Sequence, residues 1–445
     1  DDATILVFSF IGFESQEIEI AGRSVVDVIL SEGSTQLSEV VVTALGIERR
    51  REALSYAISD VDGEELANNA EPDVIRSLNG RVAGVNITQS GGAAGSSTNI
   101  IIRGNNSATG NNQPLFVVDG IPFDNSISNT SNPATAASTY SNRALDLDPN
   151  DIASMTVLKG GAAAALYGSR ASNGVIIITT HSGSQSRKGL EVELSNTMSL
   201  ESIARLPDYQ NRFGQGNFTN GQAIFSPVAT ESWGPEIGSG ILNGGLFEEG
   251  GVIKYTNHYG AEVPFQAFPD NVDDFYETGL QRETAIRLRG GNSTSGFAIT
   301  ASNVDNEGFL PQTAIKRTSV KIGGDTKLEN GLSFNASVTY VDNLQDGILS
   351  GGHSTLSSIN RQTLFIPRSY DLTGFDYIDP VTGSQLIYTF WDNPRWLVEE
   401  GPYDSDVDRI YGFVGASYDI NDWLSVSYKL GTNTYTDRRN MIIPR

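Results

Sequence analysis

The sequence predicts a mainly β protein in which a mixed α/β domain precedes a long run of alternating strands. Three observations carry this. From about residue 190 onward, apolar and polar residues alternate. Leu190, Val192 and Leu194 interleave with Glu191, Glu193 and Ser195, and Leu332, Phe334, Ala336, Val338 and Tyr340 with Ser333, Asn335, Ser337 and Thr339. Leu424, Val426, Tyr428 and Leu430 interleave with Ser425, Ser427 and Lys429 in the same way. Residues 59–182 have another texture, in which short apolar strands sit between helix-start and helix-stop signals. Gly supplies 47 of 445 residues, so turns are many.

Taken in order, residues 1–30 read as strands at Thr4–Phe10, Glu17–Ile20 and Val25–Leu30. Two or three strands cannot bury a core alone, so they complete a sandwich whose beginning is missing or add to another sheet. Residues 31–58 read as a linker with one extended patch, Glu39–Thr43, whose three consecutive valines favour a strand backbone. In 59–182, Pro72 marks a helix start and Asn79-Gly80 its end. Strands follow at Val85–Gln89, Asn99–Arg103 and Leu115–Val118, the last closed by the turn pair Asp119-Gly120. Asp148-Pro149-Asn150-Asp151 is a second helix start: an Asp cap, then Pro. Met155–Lys159 is a strand, Gly161–Tyr167 a short helix capped by Gly168, and Val175–Thr180 a buried strand.

Beyond 190, weaker alternation marks Ile286–Arg289, Phe297–Ala301, Ser319–Ile322 and Tyr411–Ile420. Some links are short, such as Glu329-Asn330-Gly331 and Asn421-Asp422, and others are long, at 201–280 and 342–408. Period two over such lengths suits a tilted transmembrane antiparallel β-barrel with short turns on one rim. It suits equally a large soluble sandwich with one wet face.

Composition narrows the function. Lys plus Arg is 30 against 53 Asp plus Glu, a net charge of −23 that disfavours nucleic acid. With no Cys and three scattered histidines (His181, His258, His353), no thiol chemistry and no Cys- or His-based metal site is expected. Mean hydropathy is −0.22, too polar for a bundle of membrane helices but not for a barrel. Asp146, Asp148, Asn150 and Asp151 lack the Gly and terminal Glu of a calcium loop, and helix capping accounts for them better. No GxSxG, Walker A or dinucleotide-binding glycine pattern is present, so no catalytic residue and no cofactor is assigned.

Several blocks of 59–182 resemble, in order, the plug domain of TonB-dependent outer-membrane transporters of the SusC/RagA-like branch. They are Leu78-Asn79-Gly80-Arg81-Val82-Ala83-Gly84-Val85, Ile100-Ile101-Ile102-Arg103-Gly104, Pro114-Leu115-Phe116-Val117-Val118-Asp119-Gly120-Ile121-Pro122, and Ala165-Leu166-Tyr167-Gly168-Ser169-Arg170-Ala171-Ser172-Asn173-Gly174. Asp148–Ile152 and Val157–Lys159 fit as well, whereas Gly160-Gly161 departs from the family's acidic and small pair. The resemblance implies a carboxypeptidase-regulatory-like β module ending over 1–36, a linker over 37–58, the plug over 59–182, and the first part of a transmembrane β-barrel over 183–445. Such barrels have about 22 strands, and 183–445 holds far fewer, so the barrel is incomplete in this chain.

The resemblance further implies an importer in the bacterial outer membrane, with plug and N-terminal module on the periplasmic side. The TonB C-terminal domain would be its energising partner, and a SusD-like lipoprotein its lid. The solute would be a glycan, with a peptide as the RagA-like alternative. A non-transporting surface glycan-binding protein is the reading from another class. Glu39, Val40, Val41, Val42 and Thr43 are the candidate TonB box, an extended segment suited to strand addition. Arg103, Asp119 and Lys159 are candidate plug–barrel ion pairs, with Gly104 and Gly120 as turn formers. Trp233, Phe265, Phe268, Trp391 and Trp396 are candidate solute contacts, because flat rings stack on sugars.

Overall fold

A computed structural model describes residues 5–8, 16–19, 26, 28, 40–42, 48–50, 58–67, 71–89, 92–108, 112–126, 141–160, 165, 167–183, 189–257, 259–348, 359–386, 392–421 and 423–442. Near the N-terminus, Ile5–Phe8 pairs antiparallel with Gln16–Glu19, and Val40–Val42 with Glu48–Arg50. Most of the strand expected at Val25–Leu30, and the ends of the TonB-box candidate, Glu39 and Thr43, lie outside the described residues.

The plug forms a five-stranded mixed sheet in the order Ile58–Asp62, Ile152–Leu158, Val175–Thr180, Leu115–Val118, Ile121–Phe123. Leu115–Val118 and Val175–Thr180 run parallel, and the other neighbours antiparallel. Central strands buried on both faces need continuous apolar runs, and Val175–Ile178 and Phe116–Val118 supply them. A hairpin of Val85–Gln89 with Thr98–Ile102 packs on this core through Ile87, Ile100 and Ile102. Asp119 and Gly120 both have positive φ (48° and 83°), as a two-residue hairpin turn between Val118 and Ile121 requires.

Two helix expectations are corrected. Residues 71–80 form turns and one 3-10 turn at Arg76–Leu78, not an α-helix. Local side-chain bonds hold the backbone there: Asp73 accepts from the Ile75 amide at 3.0 Å, and the Ser77 hydroxyl donates to the Val74 carbonyl at 2.6 Å. Asp148 does cap, accepting from the Asn150 amide at 3.0 Å, but the turn lasts only over Pro149–Asp151. Ile152 then enters a strand because Val175–Thr180 is there to pair with it. Most of the short helix expected at Gly161–Tyr167 lies outside the described residues, and Gly168 has the left-handed φ of +73° expected of a cap.

Seven long strands make one antiparallel sheet in simple sequence order: Gly189–Glu201, Gly279–Gly291, Ser295–Glu307, Ala314–Lys327, Leu332–Ile348, Pro402–Asn421 and Leu424–Met441. Each of the seven alternating patches in the sequence falls in one of them. At one end the links are short, at 292–294, 328–331 and 422–423. At the other end stand 308–313 and the long excursions 202–278 and 349–401. Among the described residues the sheet is open, with the first and seventh strands at its edges.

The polarity of this sheet is the reverse of a soluble one. The face turned to the plug carries Gln281, Glu283, Arg287, Thr300, Ser302, Arg317, Lys321, Asn343 and Arg409, all buried. The opposite face exposes Leu190, Val192, Leu194, Ile286, Phe297, Ile322, Val338, Val414, Tyr428 and Leu430. The register sets these apolar positions side by side: Val192 pairs with Leu288, Ile299 with Ile322, Ile322 with Val338, and Val414 with Leu430. They form a band toward the short-turn end. Further along the same face the outward residues turn polar, as at Arg282, Asn303, Asp342 and Asp408. A soluble sandwich would bury the apolar face, so the alternation belongs to a barrel wall.

Candidate functional site

The site with most chemistry is the seam between plug and sheet, built around residues 141–151. This stretch is polar in sequence yet buried throughout. Short 3-10 turns at Arg143–Asp146 and Pro149–Asp151 turn its carboxylates outward from the plug, toward the inward face of the sheet.

Asp146 is the centre. One carboxylate oxygen lies 3.0 Å from an Arg409 Nη, and the other accepts from the Asn343 amide at 3.0 Å. Arg409 and Asp146 are both 0% exposed. The Arg409 guanidinium also donates to the Asp124 carbonyl at 3.0 Å and to Asn433 at 2.8 Å. It lies 3.5 Å from the centroid of the Phe123 ring, a cation–π stack. Arg317 reaches in from the fourth strand and donates one Nη to the carbonyls of Pro72, Leu145 and Leu147 at 2.7–2.9 Å. Asp148 accepts from the Ser302 hydroxyl at 2.6 Å. Asn150 donates to Glu283, and its carbonyl accepts from Arg287.

Asp151 pairs with Lys321 at 3.0 Å, both side chains 2% exposed. Lys321 also donates to the Thr180 hydroxyl and to the His181 carbonyl. Burial pushes the Asp151 carboxyl up to about 7; Lys321 pulls it back, and the Asp148 and Asp119 charges push it further. Each carboxylate of the plug segment thus meets a donor of the wall. Buried pairs of this kind are costly to dehydrate, add little net stability, and are costly to break one-sidedly.

The residues expected to make plug–barrel ion pairs fall at three places in the plug. Among the described residues, Lys159 donates to the Ser59 hydroxyl at 2.7 Å, inside the plug. The Asp119 carboxylate accepts from the Thr180 amide at 2.9 Å and from its hydroxyl at 2.6 Å, also inside the plug. Its backbone carbonyl meets the wall, accepting from Lys429 at 3.0 Å, and the Asp119 charge favours the Lys429 ammonium. Arg103 and Gly104 have φ of 58° and 96° and form an exposed turn. The carboxylates of Asp146 and Asp151, read from sequence as helix caps, make the close ion pairs with the wall. The signal that points to them is a Pro-terminated acidic cluster followed by a strand rather than a helical periodicity.

The described parts of the long excursions, 202–257, 259–278, 359–386 and 392–401, pack on each other as a loop layer, as where the Gln215 amide donates to the Ser369 hydroxyl at 2.8 Å and Asn271 donates to the Tyr370 carbonyl at 2.6 Å. Phe265 and Trp396 are buried in it, at 6% and 4% exposure, among Phe225 and Tyr255 and among Tyr370 and Leu397 respectively. As solute contacts both are corrected: their rings fill apolar cores. The helix Pro394–Glu400 that holds Trp396 is capped by Asn393, which accepts from the Arg395 amide at 2.9 Å. Trp233 is 67% exposed, and Phe268 packs edge-on to Phe375. Trp391 lies outside the described residues. The plug reaches this layer through the loop after Gln89, with Ala93 in the same core as Trp396 and the Ala94 carbonyl accepting from Gln345 at 3.1 Å.

Comparison with known proteins agrees with this architecture. The TonB-dependent Receptor Plug Domain family matches residues 50–175. TonB-dependent receptor P26 of Formosa agariphila is 30% identical over 391 residues, covering 88% of this chain and 34% of that protein. TonB-dependent receptor SusC of Bacteroides thetaiotaomicron is 24% identical over 405 residues, covering 89% and 35%. The RagAB peptide importer in its open-open state superposes with a TM-score of 0.67 at 18% identity, over 90% of this chain and 43% of that one, a likeness of fold. The chain spans about a third of the length of these curated relatives. Plug, polar-faced wall and sequence likeness converge: residues 50–175 belong to the TonB-dependent Receptor Plug Domain family, and the chain as a whole is similar to the SusC/RagA-like TonB-dependent receptors.

Proposed function

We propose that this chain is the plug and first wall of an outer-membrane importer for a large solute, energised by TonB, and that the carboxylates of 146–151 hold the plug closed. The observation that carries the reading is the inverted sheet. Its apolar band faces away from the protein and suits lipid, while its charged face grips the plug. A seam made of ion pairs and hydrogen bonds can be re-wetted when the plug shifts, whereas an apolar seam would resist release. The N-terminal module at 1–36, the linker at 37–58, the plug at 59–182 and the wall at 183–445 are the proposed units, with module and plug on the periplasmic side. Likeness to SusC and to RagAB supports a SusD-like surface lipoprotein as partner. The solute is a glycan on this reading; the RagAB likeness favours a peptide as the second.

A disulfide lock tests the closed seam. The chain has no native Cys, and the Ser302 and Asp148 side chains are in contact. Ser302→Cys with Asp148→Cys should stop uptake when oxidised and restore it on reduction. Full uptake by a verified cross-linked receptor would sink the idea that the plug leaves the wall there. For the TonB box, Val41→Pro should abolish uptake and spare surface binding of solute; normal uptake would remove the assignment from 39–43.

A further inference from the structure

The plug meets the wall in a second way at the edge of its sheet, where Ile121–Phe123 lies against the seventh wall strand, Leu424–Met441. We propose that this hairpin edge, residues 119–126 seated on Gly431, is a fixed pivot, and that the plug opens by tilting about it. This rests on the import reading above and adds which contact holds while the seam of 146–151 parts.

Successive inward positions of the seventh strand take the hairpin in order. Lys429 donates to the Asp119 carbonyl at 3.0 Å. Two residues on, Ile121 sits over Gly431. Asn433 donates to the Pro122 carbonyl at 3.4 Å, and the Tyr435 and Ser126 hydroxyls stand 3.3 Å apart. A Cβ at 431 would lie 2.2 Å from Ile121 Cδ1 and 2.4 Å from Cγ1, so Ile121 fills the space that a side chain there would need. Gly431 does not have a positive φ. The close approach, not the backbone conformation, calls for glycine in the middle of this strand.

The chemistry of this contact differs from that of the seam. The seam holds the plug by carboxylates, which water can solvate when they part. The hairpin offers backbone carbonyls and apolar side chains. Phe123 is buried edge-on to Tyr411, with ring centroids 5.4 Å apart, and the Arg409 guanidinium covers its face. Parting these rings exposes apolar surface that water does not compensate. Arg409 belongs to both contacts: once Asp146 withdraws, it keeps the Asp124 carbonyl, Asn433 and the Phe123 ring. The plug's polar groups fan out from this point. Asp146 meets the fifth and sixth strands, Asp151 the fourth, Asp148 the third and Asn150 the second. The third strand stands four strand spacings from the seventh, about 19 Å along the wall. A tilt about the seventh strand therefore opens the far contacts most and the hairpin least.

The test uses the full-length receptor in planar bilayers and reads KCl conductance while urea, which weakens burial throughout, is raised. Ile121→Cys with Gly431→Cys places a disulfide in the pivot, where the close approach of the two side-chain positions allows one. Ser302→Cys with Asp148→Cys places one in the seam. The oxidised pivot lock should open at the same urea concentration as its reduced form, and the oxidised seam lock should stay shut there. A pivot lock that stays shut when oxidised means that the hairpin must leave the wall, and overturns the proposal. A seam lock that opens overturns it too, because the plug then does not part at the seam. Single substitutions test the seating without a disulfide. Gly431→Ala should open at lower urea than wild type. In an Ile121→Ala background it should bring no further loss, since the atoms that its Cβ strikes are gone. Additive losses, or a Gly431→Ala receptor that opens like wild type, overturn the seating of Ile121 on Gly431. Conductance needs neither solute nor TonB. A receptor that opens this way in bilayers but shows no TonB-dependent uptake in cells fails the import reading and leaves the pivot standing.

Discussion

The core of the plug's five-stranded sheet is apolar, with Ile176, Val157, Met155 and Phe116 fully buried. In the seven-stranded sheet, the largest fully buried side chains include Arg317, Lys321 and Arg409, while Leu194, Ile322 and Val414 are exposed. Both regions obey one rule, that a surface matches the medium it meets. The plug core meets itself. The sheet meets the plug's polar rim on one side and, on our reading, lipid on the other. The difference teaches that the two regions are held by different forces: the plug by apolar burial, the seam by paired charge. The first contributes stability outright; the second fixes position and punishes one-sided loss.

The largest effect should come from unpairing the seam. Asp146→Ala leaves Arg409 buried with no carboxylate, an expected loss of about 3–5 kcal/mol. It should lower the melting temperature of the detergent-solubilised receptor and open a leak in planar-bilayer conductance. Unchanged melting and no leak would mean that the seam contributes nothing to closure. Next comes the outward face. Ile322→Arg should cost about 2–4 kcal/mol for folding into lipid vesicles. On a soluble sheet an exposed Ile→Arg would stay within about 0.5 kcal/mol, so the same substitution separates the two readings of the alternation.

A third effect depends on pH. The Asp151 carboxyl is raised by burial to about 7 from an ordinary 3.8. Between those values the closed state binds more protons than a state in which Asp151 is solvated. Closure should therefore weaken as pH rises from about 4 to about 7, by at most about 1.4 kcal/mol per unit. Thermal melts of the wild type across that window should show the trend, and Asp151→Asn should flatten it. An equal slope in Asp151→Asn would place the titration elsewhere.

How much was legible in the sequence follows from the same contrast. All seven wall strands were visible wherever one face is apolar, at Leu190–Leu194 or Leu424–Leu430. They vanished where both faces are polar. The fifth strand runs on past Tyr340 to Ile348, and the sixth begins at Pro402, yet Asp342, Asp404 and Asp406 break the alternation, so that stretch has the sequence of a loop. The plug strands were legible because Val and Ile runs mark doubly buried strands. The seam was not, because a carboxylate that caps a turn and one that meets an arginine far along the chain look alike until the fold brings Asp146 to Arg409. The Pro394–Glu400 helix carried a readable Asn-Pro start and placed Trp396 in a core, which the ring's composition alone concealed.

The smallest effect sharpens where plug and wall join. Gly120 has φ of +83° in the two-residue turn that also presents the Asp119 carbonyl to Lys429. A Cβ is disfavoured in that region, so Gly120→Ala should cost about 1 kcal/mol. Asn tolerates the left-handed conformation through its own local hydrogen bonds, so Gly120→Asn should recover most of the loss. If the turn's only task were to reverse the chain, both variants would shift plug stability and leave uptake alone. Because the turn also positions the carbonyl that Lys429 grips, Gly120→Ala should loosen the seam as well, read as faster hydrogen exchange at the Thr180 amide bound to Asp119. Protection there equal to wild type would confine the strain to the hairpin and sever this link between plug and wall.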